Sequence, residues 1–233
     1  MELKIKSFLE FILDLFFPKY CAGCGKEGTF FCSECKEKVI VIKSPTCFEC
    51  NKLTKRGEFC LKCRSHWHLK GVIVATYFKE GPIREVIHDF KYEGIFNLKQ
   101  DLSEFMIKAL KEFLPFKNPI LIPVPLHKRK LIRRGFNQAE LLAKEIAAHF
   151  KFELKSNILE RKKDTKSQTE LKGRERRANV KDAFLCKNKD EILGKKIILI
   201  DDVITTGATL NECARVLKEN GAKTVWALVL AKD

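Results

Sequence analysis

The segment Ile197-Ile198-Leu199-Ile200-Asp201-Asp202-Val203-Ile204-Thr205-Thr206-Gly207-Ala208-Thr209 runs four apolar residues into two carboxylates and then a short Thr/Gly loop. An unbroken aliphatic run of this length suits a strand buried on both faces, the habit of a parallel sheet flanked by helices. Leu210, Cys213, Ala214 and Leu217 then recur at helical offsets, and Gly221 falls where a left-handed C-terminal cap belongs. The loop thus joins the carboxyl end of a strand to the amino end of a helix. Unpaired N–H groups, the positive end of a helix dipole and the hydroxyls of Thr205, Thr206 and Thr209 suit a phosphate monoester, and Gly207 lets the backbone approach it. Asp201 and Asp202 are poor phosphate partners. They accept hydrogen bonds from sugar hydroxyls or hold a hydrated Mg²⁺. The segment reads as a cradle for a sugar diol and its phosphate.

Two other phosphate motifs are excluded, because the chain has neither GxxxxGK[ST] nor a GxGxxG beside a strand. The segment instead resembles the phosphoribosyl pyrophosphate (PRPP) motif of the type I phosphoribosyltransferases: an apolar run, two acids, and a TTGxT loop.

A second constraint lies upstream. Cys21-x-x-Cys24, Cys32-x-x-Cys35, Cys47-x-x-Cys50 and Cys60-x-x-Cys63 form four knuckles, and two such knuckles complete a tetrahedral Cys₄ zinc site. Disulfides are the rival only in a secreted chain, and no secretion signal is present. Pairing neighbours gives sites from Cys21, Cys24, Cys32 and Cys35 and from Cys47, Cys50, Cys60 and Cys63; a cross-braced arrangement stays open, so one or two structural Zn²⁺ ions are expected. Closed sites of this kind help a small module fold rather than catalyse. His66 and His68 are read as linker histidines that stand near enough to replace a ligand, and Cys186 and Cys213 as packed thiols.

The chain has 233 residues and a formal charge of +15. Residues 119–196 hold 21 Lys+Arg against 10 Asp+Glu, so the excess sits between mid-chain and the phosphate loop. Such a surface suits a polyanion, including nucleic acid, although solvated lysines alone produce the same count. Near the N-terminus, Phe8, Phe11, Ile12, Leu15 and Phe16 form an apolar run, but Glu10 and Asp14 interrupt it and it is too short to span a bilayer. An amphipathic helix ended by Pro18 is expected, in a soluble cytoplasmic protein, with peripheral membrane contact through its aromatic face left open.

Val72 to Phe78 alternate as a strand, followed by helices over Ile83 to Phe90 and Leu98 to Phe113, a strand at Ile120 to Ile122, and the rigid turn Pro123-Val124-Pro125-Leu126-His127. This alternation predicts a mostly parallel α/β sheet flanked by helices, in a domain over 70–233 behind a helix and cysteine-rich module over 1–69. Lys128 to Arg134 reads as a basic loop before a helix capped by Asn137, with Glu140 as reciprocal partner. His127 is a candidate proton donor or diphosphate ligand, or a structural residue. Arg161 to Val180 is polar and weakly patterned, as in a mobile loop.

Taken together, Phe17-Pro18 before Cys21-Ala22-Gly23-Cys24-Gly25, the four knuckles, Lys91-Tyr92, Pro123-Val124-Pro125, Arg134-Gly135-Phe136-Asn137-Gln138, Arg161 to Asn179 and the acidic motif resemble the ComF (ComFC) family over essentially the whole chain. The resemblance implies a zinc module joined to a type I phosphoribosyltransferase-like domain, and a role in natural transformation, DNA uptake and the handling of single-stranded DNA. It places Asp201 and Asp202 on the ribose diol as candidate catalytic acids, and Thr205, Thr206, Gly207, Ala208 and Thr209 on the 5′-phosphate. Lys128 and Arg161 fall in its pyrophosphate loop and lid, Mg²⁺ accompanies PRPP, and Arg133, Arg134, Arg174 and Arg177 are candidate nucleic-acid contacts. Implied partners are single-stranded DNA and DNA-uptake helicase or inner-membrane channel proteins. An active phosphoribosyltransferase of unknown acceptor, working in nucleotide metabolism, is the alternative. The acids should alternate faces on an ideal strand, so only one is expected to meet the ribose directly.

Overall fold

The computed structural model describes residues 18–162 and 180–233. The expected N-terminal helix, Arg174 and Arg177 lie outside them. Among the described residues no helix is long and apolar enough to cross a membrane.

The cysteine module carries one short helix, α1 (Ser33–Glu37). There follow β1 (Val72–Tyr77), α2 (Ile83–Tyr92), α3 (Leu98–Phe113), β2 (Ile120–Pro123), α4 (Lys128–Arg134), α5 (Gln138–Phe150), β3 (Glu153–Leu154), β4 (Leu159–Arg161), β5 (Phe184–Cys186), β6 (Lys196–Ile204), α6 (Ala208–Glu219) and β7 (Thr224–Lys232). Five strands form one parallel sheet in the order β1-β7-β6-β2-β3, while β4 and β5 make a separate antiparallel pair.

The aliphatic run of β6 lies at the centre of that sheet. Ile198 and Ile200 face one core with α2, α3 and α5, and Ile197 and Leu199 face the other with α6, β4 and β5. All four are fully buried, each contributing about 1.5–3 kcal/mol by leaving water. This two-sided burial is why the segment lacks polar alternation.

The cysteine module wraps the edge strand β1. Val41 bridges Thr76 and Glu58 bridges Gly71, so the free edge of β1 is covered. Its first half, with Cys21, Cys32 and Cys35, joins the core on one face; its second half, with Cys47, Cys63 and Leu69, joins the core on the other.

One local expectation is corrected. Lys128 to Arg134 is a helix, not a loop: the His127 ring nitrogen Nδ1 accepts from the Arg129 N–H at 3.3 Å, and Gly135 ends it at φ 81°. Asn137 caps α5 by accepting from the Ala139 N–H at 3.1 Å, but the Glu140 carboxylate pairs with Lys144 at 2.9 Å instead of turning back to the cap.

Candidate functional site

Parallel topology brings the ends of β6 and β2 together. Pro123 lies beside Ile200, and the Val124 N–H donates to the Ile200 carbonyl at 2.9 Å, so the turn after β2 stands next to Asp201. Asn137 braces that turn through Nδ2 to the Val124 carbonyl at 3.1 Å.

The two acids take opposite faces, as strand alternation requires. Asp202 is buried towards α2, where its Oδ2 meets Lys91 Nζ at 3.0 Å and its Oδ1 accepts from the Val203 N–H at 2.7 Å. Asp201 lies towards α6 and β4 and accepts from the Asp202 N–H at 3.0 Å. Burial, then the charge of Asp202, pushes its carboxyl up to about 7, against the opposing pull of Lys91 and Arg161. One acid is thus held by a fixed cation, while the other titrates close to neutrality.

Gly207 is the N-cap of α6, in the left-handed region at φ 72°. A β-carbon there would sit 2.7 Å from the Trp67 ring and 3.2 Å from Phe48, so the loop glycine is pressed against the cysteine module. Trp67 stacks on Phe59 at 4.5 Å, meets Phe48 edge-on, and donates from Nε1 to Glu49 at 2.7 Å; His68 N–H donates to Asn211 of α6 at 2.7 Å. The loop's own cavity, lined by Asp201, Thr205, Gly207 and Thr209, holds about 30 Å³, room for a water-sized group, so most of a sugar phosphate would lie on its solvent side. A larger cleft of about 390 Å³ borders it, between Trp67, Thr206 and Ala208. Cys213 lies fully buried beneath the loop, where burial pushes its thiol well up, as befits packing rather than nucleophilic chemistry.

Arg161 is the last residue of β4. It is buried, its guanidinium lies 5.4 Å from the Phe184 ring, and its charge is felt at Asp201. Lys128 is exposed and stands 3.6 Å from Glu160, the neighbour of Arg161 on the same strand. Of these two, Arg161 is the one whose charge reaches Asp201. Arg133 is exposed on α4, and Arg134 packs over Tyr92 at 5.0 Å.

The eight thiols gather as neighbouring knuckles. Cys21, Cys24, Cys32 and Cys35 form one group and Cys47, Cys50, Cys60 and Cys63 the other, with all sulfurs of a group within 4.8 Å of one another. Four thiols converging this closely are the donor set of a tetrahedral zinc ion. At Cys21 burial raises the thiol, but N–H groups of Cys32, Gly23 and Cys24 outweigh it and bring it down to about 6, which favours the thiolate a metal needs. His66 turns away from the sulfurs to Glu49, at 3.2 Å.

Sequence reasoning assigned no role to Lys91, Trp67 or Asn211. Lys91 was visible only as part of a family signature, and nothing in its spacing reports a partner more than a hundred positions away.

Comparison with known proteins matches residues 94–233 to the phosphoribosyl transferase domain and residues 12–64 to the double zinc ribbon domain. The chain is similar to competence protein F of Haemophilus influenzae, 32% identical over 87% of this chain and 97% of that one. It is similar also to competence protein ComFC of Streptococcus pneumoniae, 31% identical over 88% of this chain and 89% of that one. DNA utilization protein YhgH of Escherichia coli O157:H7 is 30% identical over 84% of this chain and 88% of the other.

Proposed function

The chain belongs to the ComF (ComFC) family, with a phosphoribosyl transferase domain behind a double zinc ribbon that holds structural zinc, and from that premise we propose that it binds PRPP and handles single-stranded DNA in natural transformation. The observation that carries the PRPP reading is the inequivalent acid pair at the mouth of a glycine-capped helix: Asp202 locked to Lys91, and Asp201 left to face a ligand. In this reading Asp201 accepts from the ribose diol and Asp202 holds the strand end in place. Thr205, Thr206, Gly207, Ala208 and Thr209 receive the 5′-phosphate, and Lys128 and Arg161 meet the diphosphate, whose charge Mg²⁺ would share. The competence reading is supported by relatives whose names specify competence and DNA utilization. Single strands would meet exposed cations such as Arg133, in the cytoplasm.

Calorimetry tests this. The native chain should take up PRPP with Mg²⁺ saturably, Asp201→Ala should lose at least tenfold in affinity, and a single-stranded oligonucleotide should bind the same sample. No heat with PRPP would overturn the reading.

Catalysed transfer is the second reading. Arg161, a buried cation whose charge reaches Asp201, would supply positive charge to a departing diphosphate, which supports this reading. Displacement would break the C1–O bond of PRPP and form a bond from C1 to an acceptor, releasing pyrophosphate.

A further inference from the structure

The cysteine module and α6 enclose more than the phosphate loop. A second cleft of about 410 Å³ also borders Trp67, walled by Arg64, His68 and Lys70 from the module and by Lys218 from the end of α6 and Lys223 just before β7. Trp67 borders both clefts, and α6 runs beneath them, from Ala208 at one end to Lys218 at the other.

The chemistry of this second cleft is one-sided. No carboxylate lines it, and among the described residues none of Arg64, Lys70, Lys218 and Lys223 pairs with one. All four are exposed. By contrast Arg215, one turn earlier on α6, is tied to Glu212, Glu219 and Asp182. Four unneutralised cations in a concave site repel one another and are relieved by a polyanion.

The cleft is also held in shape. Lys70 N–H donates to the Val225 carbonyl at 2.8 Å and His68 N–H to Asn211, so residues 64–70 are pinned to the transferase-like domain at two points. The backbone that carries Arg64 and Lys70 is thus fixed against α6 and β7.

We infer that the two clefts form one groove for a single-stranded nucleic acid, its backbone phosphates on Arg64, Lys70, Lys218 and Lys223 and a base against Trp67. This rests on the single-strand part of the proposed function and gives it a location other than α4. A phosphate-rich strand satisfies the cationic end, and the half-buried indole between two clefts, stacked on Phe59 behind it, offers its remaining surface to a base whatever its identity. An acidic peptide would use the cations without the indole.

The test uses the zinc-loaded full chain and a labelled oligothymidylate, with anisotropy read over a salt series. Lys70→Glu/Lys218→Glu/Lys223→Glu alters only exposed side chains. It should weaken binding about tenfold or more and reduce the slope of log affinity against log salt by about 2, from three contacts at about 0.7 each. The neutral variant Lys70→Gln/Lys218→Gln/Lys223→Gln should fall between. The chain has two tryptophans, of which Trp226 is buried, so the strand should also quench Trp67 fluorescence, and an abasic strand should not. If the native chain binds the oligonucleotide and the charge-reversed variant binds it equally, or if Arg133→Glu/Arg134→Glu alone abolishes binding, the groove is wrong while the wider reading stands. If the native chain binds no single strand, both fall. Equal binding of polyglutamate without quenching would also overturn the assignment.

Discussion

Asp201 and Asp202 are adjacent, identical in chemistry and different in state, and the difference comes from what each face of β6 supplies. Towards α2 there is Lys91, whose ammonium meets the buried Asp202 carboxylate at 3.0 Å and holds it in place. Towards α6 there is the apolar floor under the loop, and burial pushes Asp201 up to about 7. The sign follows directly. Between about pH 4 and pH 7 the unfolded chain has lost this proton while the folded chain keeps it, so Asp201 makes the ligand-free protein less stable as pH rises through that window. Denaturant midpoints should therefore decline from about pH 5 to about pH 7, and Asp201→Asn should flatten the decline; an unchanged slope would show that this carboxyl is not the cause. That both acids stand at a strand end beside a Thr/Gly loop was legible from their place after an aliphatic run. Their separation into a held and a titrating acid was not, because Lys91 is distant in the chain and only the fold brings it there.

Among the elements, β6 and α6 were legible almost to the residue, since one is buried on both faces and the other carries a single apolar stripe. The helix α4 was missed for the converse physical reason. It buries none of its residues, so no periodicity marks it, and it is specified by its ends, His127 and Gly135. The neighbouring pairing of the cysteine knuckles was the simpler of two readings, and the structure shows it. What spacing could not reveal is where the second zinc site leads: its aromatic residues Phe48 and Trp67 close over Gly207. Gly207→Ala combines a left-handed backbone with a β-carbon 2.7 Å from the Trp67 ring, and should cost about 1–3 kcal/mol of stability by denaturant titration. Trp67→Ala in the same background should recover part of the steric cost and none of the backbone cost. Full additivity of the two changes would show that ring and loop do not touch.

At the scale of the whole molecule, the double zinc ribbon is built into the transferase-like domain rather than tethered to it. It covers the edge of β1 and contributes to the core on both faces of the sheet, with its second half against the loop at Gly207. Zinc held by the ribbon would thus bear on the shape of the loop at Gly207 through Phe48 and Trp67, without touching it. The parallel sheet was foreseeable from strand-to-helix alternation, whereas this wrapping depends on isolated bridges such as Val41 to Thr76 that leave no local pattern. On the proposed function, PRPP sits where β6 passes into α6, from Val203 to Thr209, against the ribbon. Hydrogen exchange of the zinc-loaded chain, with and without PRPP and Mg²⁺, addresses it directly. Slower exchange of the amides from Val203 to Thr209 on adding PRPP is the predicted result; bound PRPP with exchange there unchanged, or protection confined to other segments, would contradict it.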